Sequence, residues 1–155
     1  MLSVGSSAPV FELPEASMEM IKLSSFRGKK NVVLYFYPKD GTPGCTMEAI
    51  GFSDHEADFN RHDTVVFGIS RDDVLSHAEF RDKHGLTVQL LSDSESEVCR
   101  KYDVLEDRQV DGNIRCCFNR STFIIDKKGV VRHVLCNTSP RDHADQVLQL
   151  VKGLN

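Results

Sequence analysis

The segment Pro38-Lys39-Asp40-Gly41-Thr42-Pro43-Gly44-Cys45-Thr46-Met47-Glu48 concentrates the residues most suited to chemistry. Its prolines and glycines force a defined loop and place Cys45 at, or within the first turn of, a following helix. Unpaired N–H groups and the positive end of the helix dipole favour an anion there, so thiolate is expected near neutral pH. Thiolate is a nucleophile. Thr42, three residues earlier, can set a hydroxyl beside the sulfur to hold a polar, two-oxygen substrate. Pro38, which has no N–H, can shield one side of the pocket from water. A purely structural turn with a buried thiol beyond it would use the same residue types.

The elements around this segment must position it. Val32 to Tyr37 (VVLYFY) is a nearly continuous apolar, β-branched and aromatic run, as expected of a strand covered on both faces. Thr64 to Ser70 (TVVFGIS) has the same character. Ser121 to Asp126, Lys127 to Gly129 and Val130 to Cys136 predict a hairpin. Helices are predicted over Thr46 to Asn60, over Asp73 to His84 with Gly85 as terminator, and at the C-terminal end. In that last helix Ser139 is the expected cap, Pro140 the first turn and Asp142 the third position of a capping box. Its residues Ala144, Val147, Leu148 and Val151 follow the i, i+3, i+4, i+7 pattern of a sheet-facing stripe. Strands and helices alternate and a hairpin follows, which predicts an α/β layer fold with a mixed sheet. Reactive groups in such sheets collect where a strand's carboxyl end meets the next helix, the place Cys45 occupies.

The chain has 155 residues, 40% hydrophobic and 27% charged, which suits one domain over residues 1–155. A net charge of −4 with interleaved signs offers no basic patch for nucleic acid or an anionic membrane. No signal-peptide pattern or membrane-length apolar run is present, so a cytoplasmic protein is expected. The five cysteines, at 45, 99, 116, 117 and 136, form no C-x-x-C pair and include an odd one. That pattern indicates neither a disulfide framework nor a zinc site. The six histidines show no metal-ligand spacing with them, and solvated or capping roles are expected.

The string Pro38-x-x-x-Thr42-x-x-Cys45 after the aromatic strand YFY resembles the active-site signature of the peroxiredoxins. The longer YFYPKDGTPGCTMEA resembles the subgroup called peroxiredoxin Q or bacterioferritin comigratory protein. The similarity continues through Ala8-Pro9-Val10-Phe11, Gly68 to Ser70, Leu90 to Asp93 and Arg120 to Asp126. It implies a thioredoxin-like fold and a thiol-dependent peroxidase acting on hydrogen peroxide or organic hydroperoxides, without a cofactor or metal. By the same resemblance Cys45 is the peroxidatic cysteine, Thr42 the peroxide-binding hydroxyl, Pro38 the pocket wall and Arg120 the guanidinium that stabilises the thiolate. Glu48 either orients that arginine or is an exposed first-turn carboxylate favoured by the dipole.

Many members of the subgroup carry a resolving cysteine five residues after the first; here that position is Ile50. The helix after the second strand, a second known location, has none either. A one-cysteine cycle is therefore expected, with regeneration by thioredoxin, glutaredoxin or glutathione. Resolution by Cys99, Cys116 or Cys117 is the alternative, and one of the neighbours Cys116 and Cys117 could face the pocket near Arg120. The resemblance favours a monomer, with a dimer as the variant. Competing readings are a cysteine nucleophile for acyl or phosphoryl groups, and a non-enzymatic binding module on the same fold.

Overall fold

The computed structural model describes residues 2–136 and 139–154. A five-stranded mixed sheet is built from β3 (Asn31–Phe36), β4 (Thr64–Ser70), β5 (Gln89–Ser92), β8 (Ser121–Ile125) and β9 (Val131–Cys136), in the order β5-β4-β3-β8-β9. The strands β3, β4 and β5 run parallel, while β8 pairs antiparallel with both β3 and β9. Two small hairpins stand apart: β1 (Glu12–Pro14) with β2 (Met20–Lys22), and β6 (Leu105–Val110) with β7 (Asn113–Phe118). Leu23–Phe26 forms a 3₁₀ turn.

Every residue of the central strand β3 is buried, the physical reason its sequence is apolar without alternation. Its side chains divide between two cores. Val32, Leu34 and Phe36 enter one with Leu13, Leu23, Val98, Cys99 and Tyr102. Val33 and Tyr35, with Tyr37 just past the strand, enter the other with Cys45, Ala49, Phe52, Phe59 and Phe80. Phe52 stacks on Tyr35 at 4.5 Å between centroids. Truncating a ring so enclosed to alanine costs ~3–5 kcal/mol.

Helices α1 (Pro43–Asp54), α2 (Glu56–Arg61), α3 (Val74–His84) and α5 (His143–Lys152) contribute to the Cys45 side, and the short α4 (Glu97–Lys101) to the other. The predicted single helix over 46–60 is two helices, broken at His55, whose φ of −99° and ψ of 6° leave the helical region. Helix α3 begins and ends as expected. The Asp73 carboxylate accepts from the Ser76 N–H at 2.8 Å, and Gly85 at φ +60° takes the left-handed conformation that stops the helix.

The start of the last helix departs from expectation. Asp142 sits at φ +59°, so α5 opens at His143, and Ser139 instead accepts from the Arg141 N–H at 3.4 Å in a local turn. The left-handed step lets Pro140 lie against α1 while His143 enters the core. The predicted stripe of Ala144, Val147, Leu148 and Val151 is buried. The β6–β7 hairpin was not expected from the sequence; residues 106–109 and 113–116 face solvent, Leu105 is buried, and Asp111 and Gly112, both at positive φ, make the tight turn. Among the described residues, no helix is long and apolar enough to cross a membrane.

Candidate active site

The loop 38–42 leaves the carboxyl end of β3 and runs into α1. Gly41 at φ +82° provides a backbone turn that a side chain would resist, and Thr42 takes the extended conformation of an N-cap. Pro43 then occupies the first helical position, where its missing N–H costs nothing. Cys45 follows in the same turn, where N–H groups lack intrahelical acceptors and favour negative charge. The first backbone bond of the helix runs from Thr46 N–H to the Thr42 carbonyl at 2.9 Å, reinforced by the Thr46 hydroxyl at 2.8 Å.

Cys45 is buried at 1% exposure, with Arg120 against its sulfur. Arg120 Nη2 donates to Sγ at 3.0 Å, and Nη1 donates to Glu48 Oε1 at 3.1 Å. One planar guanidinium therefore bridges the cysteine and the carboxyl one turn beyond it, which a lysine ammonium would not reproduce. Glu48 is 1% exposed, so the picture of a solvated first-turn carboxylate does not hold; the arginine-orienting geometry does. Burial pushes its carboxyl up to about 7, against the opposing charge and hydrogen bond of Arg120. Its Oε2 has no hydrogen-bond partner among the described residues.

Behind Glu48 lies a residue that sequence reasoning missed. His143 has no exposed surface, and its Nε2 sits 3.9 Å from Glu48 Oε2 and 2.8 Å from the Thr122 hydroxyl. Burial, aided by the Arg120 charge, pushes its imidazole down to about 4, so the ring is neutral at physiological pH. His77 is likewise fully buried. Solvated or capping roles are thus wrong for both. Neither is adjacent in sequence to the segment it serves, and only the fold brings them there.

The other expected residues lie on the loop that leads into α1. Pro38 is exposed at the start of the loop, and Thr42 is half-buried with its hydroxyl donating to the Lys39 carbonyl at 3.1 Å, which leaves its oxygen lone pairs to accept. Gly44 allows close approach: a Cβ there would stand 3.3 Å from Pro140 and 3.6 Å from Arg120 Nη2.

None of the five cysteines forms a disulfide. Cys99 packs in the core on the opposite face of the sheet from Cys45, and burial, with Asp93 adding to it, pushes its thiol far above the ordinary range. Cys116 and Cys136 are exposed, Cys117 half-buried. Ile50, at the position five after Cys45, faces solvent at 38% exposure.

At the amino end of a helix, a fixed guanidinium beside a buried sulfur supplies a charged donor for an oxygen approaching that sulfur. Comparison with known proteins agrees with that chemistry. Residues 4–134 match the AhpC/TSA family. The chain is 42% identical over 147 residues to a putative peroxiredoxin bcp of Coxiella burnetii, covering 95% of this chain and 97% of that one. It is 38% identical over 154 residues to peroxiredoxin Bcp of Bacillus subtilis, covering 99% and 98%. Among solved structures, the bacterioferritin comigratory protein of Xanthomonas campestris, studied for alkyl peroxide reduction, superposes with a TM-score of 0.90 at 31% identity over 99% of this chain and 97% of that one. The peroxidoxin BcpB of Mycobacterium tuberculosis gives 0.88 at 32% identity over 100% and 99%.

Proposed function

The chain belongs to the AhpC/TSA family and is a thiol-dependent peroxidase of the peroxiredoxin Bcp/Q type with the thioredoxin-like fold, and we propose that Cys45 is its peroxidatic residue in a one-cysteine cycle. The Cys45 thiolate attacks the terminal oxygen of a hydroperoxide. The S–O bond forms as the O–O bond breaks, sulfur is oxidised to sulfenic acid, and the leaving oxygen takes a proton to depart as water or an alcohol. Arg120 holds the sulfur as the anion and stabilises charge developing on the peroxide. Glu48 fixes the guanidinium plane. Thr42 accepts the peroxide proton side, and Pro38 limits water at the mouth.

An external thiol then attacks the sulfenic sulfur, releasing water and forming a mixed disulfide, and a second thiol reduces that disulfide and restores Cys45. Because the sulfur is almost wholly enclosed, a thiol larger than peroxide needs the first turn of α1 to open. Thioredoxin, glutaredoxin and glutathione are the candidate reductants; cysteines outside any disulfide suit a reducing cytoplasm, and resemblance to the subgroup favours a monomer.

The observation that carries this reading is the shared guanidinium, 3.0 Å from Sγ and 3.1 Å from Glu48 Oε1. It is tested by intact mass after one equivalent of hydrogen peroxide, with and without a sulfenic-acid trap. A trapped adduct on Cys45 is expected. Loss of two hydrogens without an adduct would mean that a second cysteine resolves the sulfenic acid. Peroxide consumption with dithiothreitol should vanish in Cys45→Ser, and its survival would remove the assignment.

A further inference from the structure

A buried imidazole stands behind the loop that carries Pro38 and Thr42, and both of its ring nitrogens face acceptors. His77 Nε2 lies 2.9 Å from the Leu91 carbonyl oxygen, which can only accept, so that nitrogen carries a proton. Nδ1 lies 2.7 Å from Asp40 Oδ2. Burial raises the Asp40 carboxyl, but hydrogen bonds from His77, Tyr37 and Ser76 and the charge of His77 outweigh it and hold the group below its ordinary value. Asp40 is therefore an acceptor, and Nδ1 must donate as well. The Tyr37 hydroxyl is 3.4 Å from Nδ1, but its proton goes to Asp40 Oδ1 at 2.7 Å. Two donated protons make the ring an imidazolium in a buried ion pair.

With Asp72, the same residues bring three metal-ligand-type atoms within 4.8 Å of one another. Hydrogen bonds account for each of them. Asp72 Oδ2 accepts from the Asp40 N–H at 2.9 Å and from the Ser70 hydroxyl at 2.7 Å, and a doubly protonated imidazole has no lone pair for a metal. The cluster is a clamp on the loop.

We propose that His77 is a positioning residue for the peroxide pocket: its two-proton ring ties Asp40, midway between Pro38 and Thr42, to α3 and β5, and so sets Thr42 and the first turn of α1 around Cys45. The route is continuous. Asp40 is gripped by Tyr37 at the end of β3, by Asp72 before α3 and by Ser76 and His77 on α3. Two residues on, the Thr42 carbonyl receives the first backbone bond of α1. The groups facing the ring are Asp40 and Asp72, both acidic, and Tyr37, whose hydroxyl burial keeps protonated. A ring with a lone pair at Nδ1 would face the Asp40 carboxylate instead of donating to it. The proposal rests on Cys45 being the peroxide-reactive residue.

Two measurements test it. Long-range ¹H–¹⁵N correlation of the reduced wild-type chain at neutral pH should show both His77 nitrogens protonated; a single-proton tautomer would overturn the clamp without any variant. Stopped-flow oxidation of Cys45 by hydrogen peroxide should be slowed about 10- to 100-fold in His77→Gln, in the isosteric Asp40→Asn, and no further in the double variant. Should His77→Gln fail to fold, Asp40→Asn and the wild-type spectrum carry the test. Wild-type rates in the variants would overturn the proposal alone, whereas an unreactive Cys45 in the wild type would overturn the peroxidase assignment of that residue as well.

Discussion

Arg120 stands 75 positions beyond Cys45, yet its Nη2 lies 3.0 Å from the sulfur, because β8 runs antiparallel beside β3 and delivers the residue before Ser121 to the mouth of α1. Removing that donor removes the fixed positive charge from a water-poor site. Arg120→Ala is expected to slow sulfenic acid formation by about 10²-fold, the effect of deleting one preorganised donor. Stopped-flow against hydrogen peroxide would report it, and Arg120→Lys should recover only part, since an ammonium cannot bridge sulfur and carboxylate in one plane.

Glu48 makes stability depend on pH. In the unfolded chain its carboxyl loses its proton near 4.5, in the folded chain only near 7. Between those values the native state holds the extra proton, so this residue's contribution to stability declines as pH rises from 4.5 to 7 and is level above. The difference is on the order of 3 kcal/mol. Glu48→Gln, which cannot ionise, should be more favourable relative to wild type at pH 8 than at pH 4 by that amount. Denaturant midpoints at the two pH values would show it; parallel midpoints would mean that Glu48 titrates alike in both states.

Position 50 offers a gain of function. Residues five apart in an intact helix are too distant for a disulfide, whose Cα atoms lie within about 7 Å. Ile50→Cys should nevertheless convert the cycle, because an opened α1 lets the two sulfurs meet. After one equivalent of peroxide the variant should lose two hydrogens and show no trapped sulfenic acid. A persistent adduct would mean that the helix stays wound in the oxidised protein.

Gly68 lies beneath Tyr35 in the sheet. A Cβ there would sit 2.6 Å from the phenol oxygen and 3.0 Å from Leu90 Cδ2. Gly68→Ala should therefore destabilise the fold by roughly 1–3 kcal/mol. Thermal or chemical unfolding would measure it, and an unchanged midpoint would mean that the Tyr35 ring swings aside freely.

Some of this was legible before any coordinates. The strands β3, β4 and β8 are largely buried, so their apolar runs announce them, and the Lys-Lys-Gly turn announces the edge strand β9 that pairs with β8. The loop before Cys45 is legible because proline and glycine restrict the backbone locally. What escaped depends on distant partners. The pairing of Glu48 with Arg120 is offered only by the family resemblance and not by the residues around Glu48, and nothing near His77 or His143 announces Asp40 or Thr122. The last helix opens later than the start signal Ser139-Pro140 suggests, because the left-handed Asp142 overrides it. The β6–β7 hairpin was missed for the opposite reason: facing water, it has no apolar pattern to read.

The sheet with its two separate cores also shapes what drift the chain can accept. Cys45 and Cys99 are equally enclosed, but the strands lie between them, and only one has a guanidinium at its sulfur. Alanine, serine or valine at position 99 would therefore be felt through the volume of that pocket and the contact with Asp93, whereas a change at position 45 removes the sulfur that the guanidinium holds.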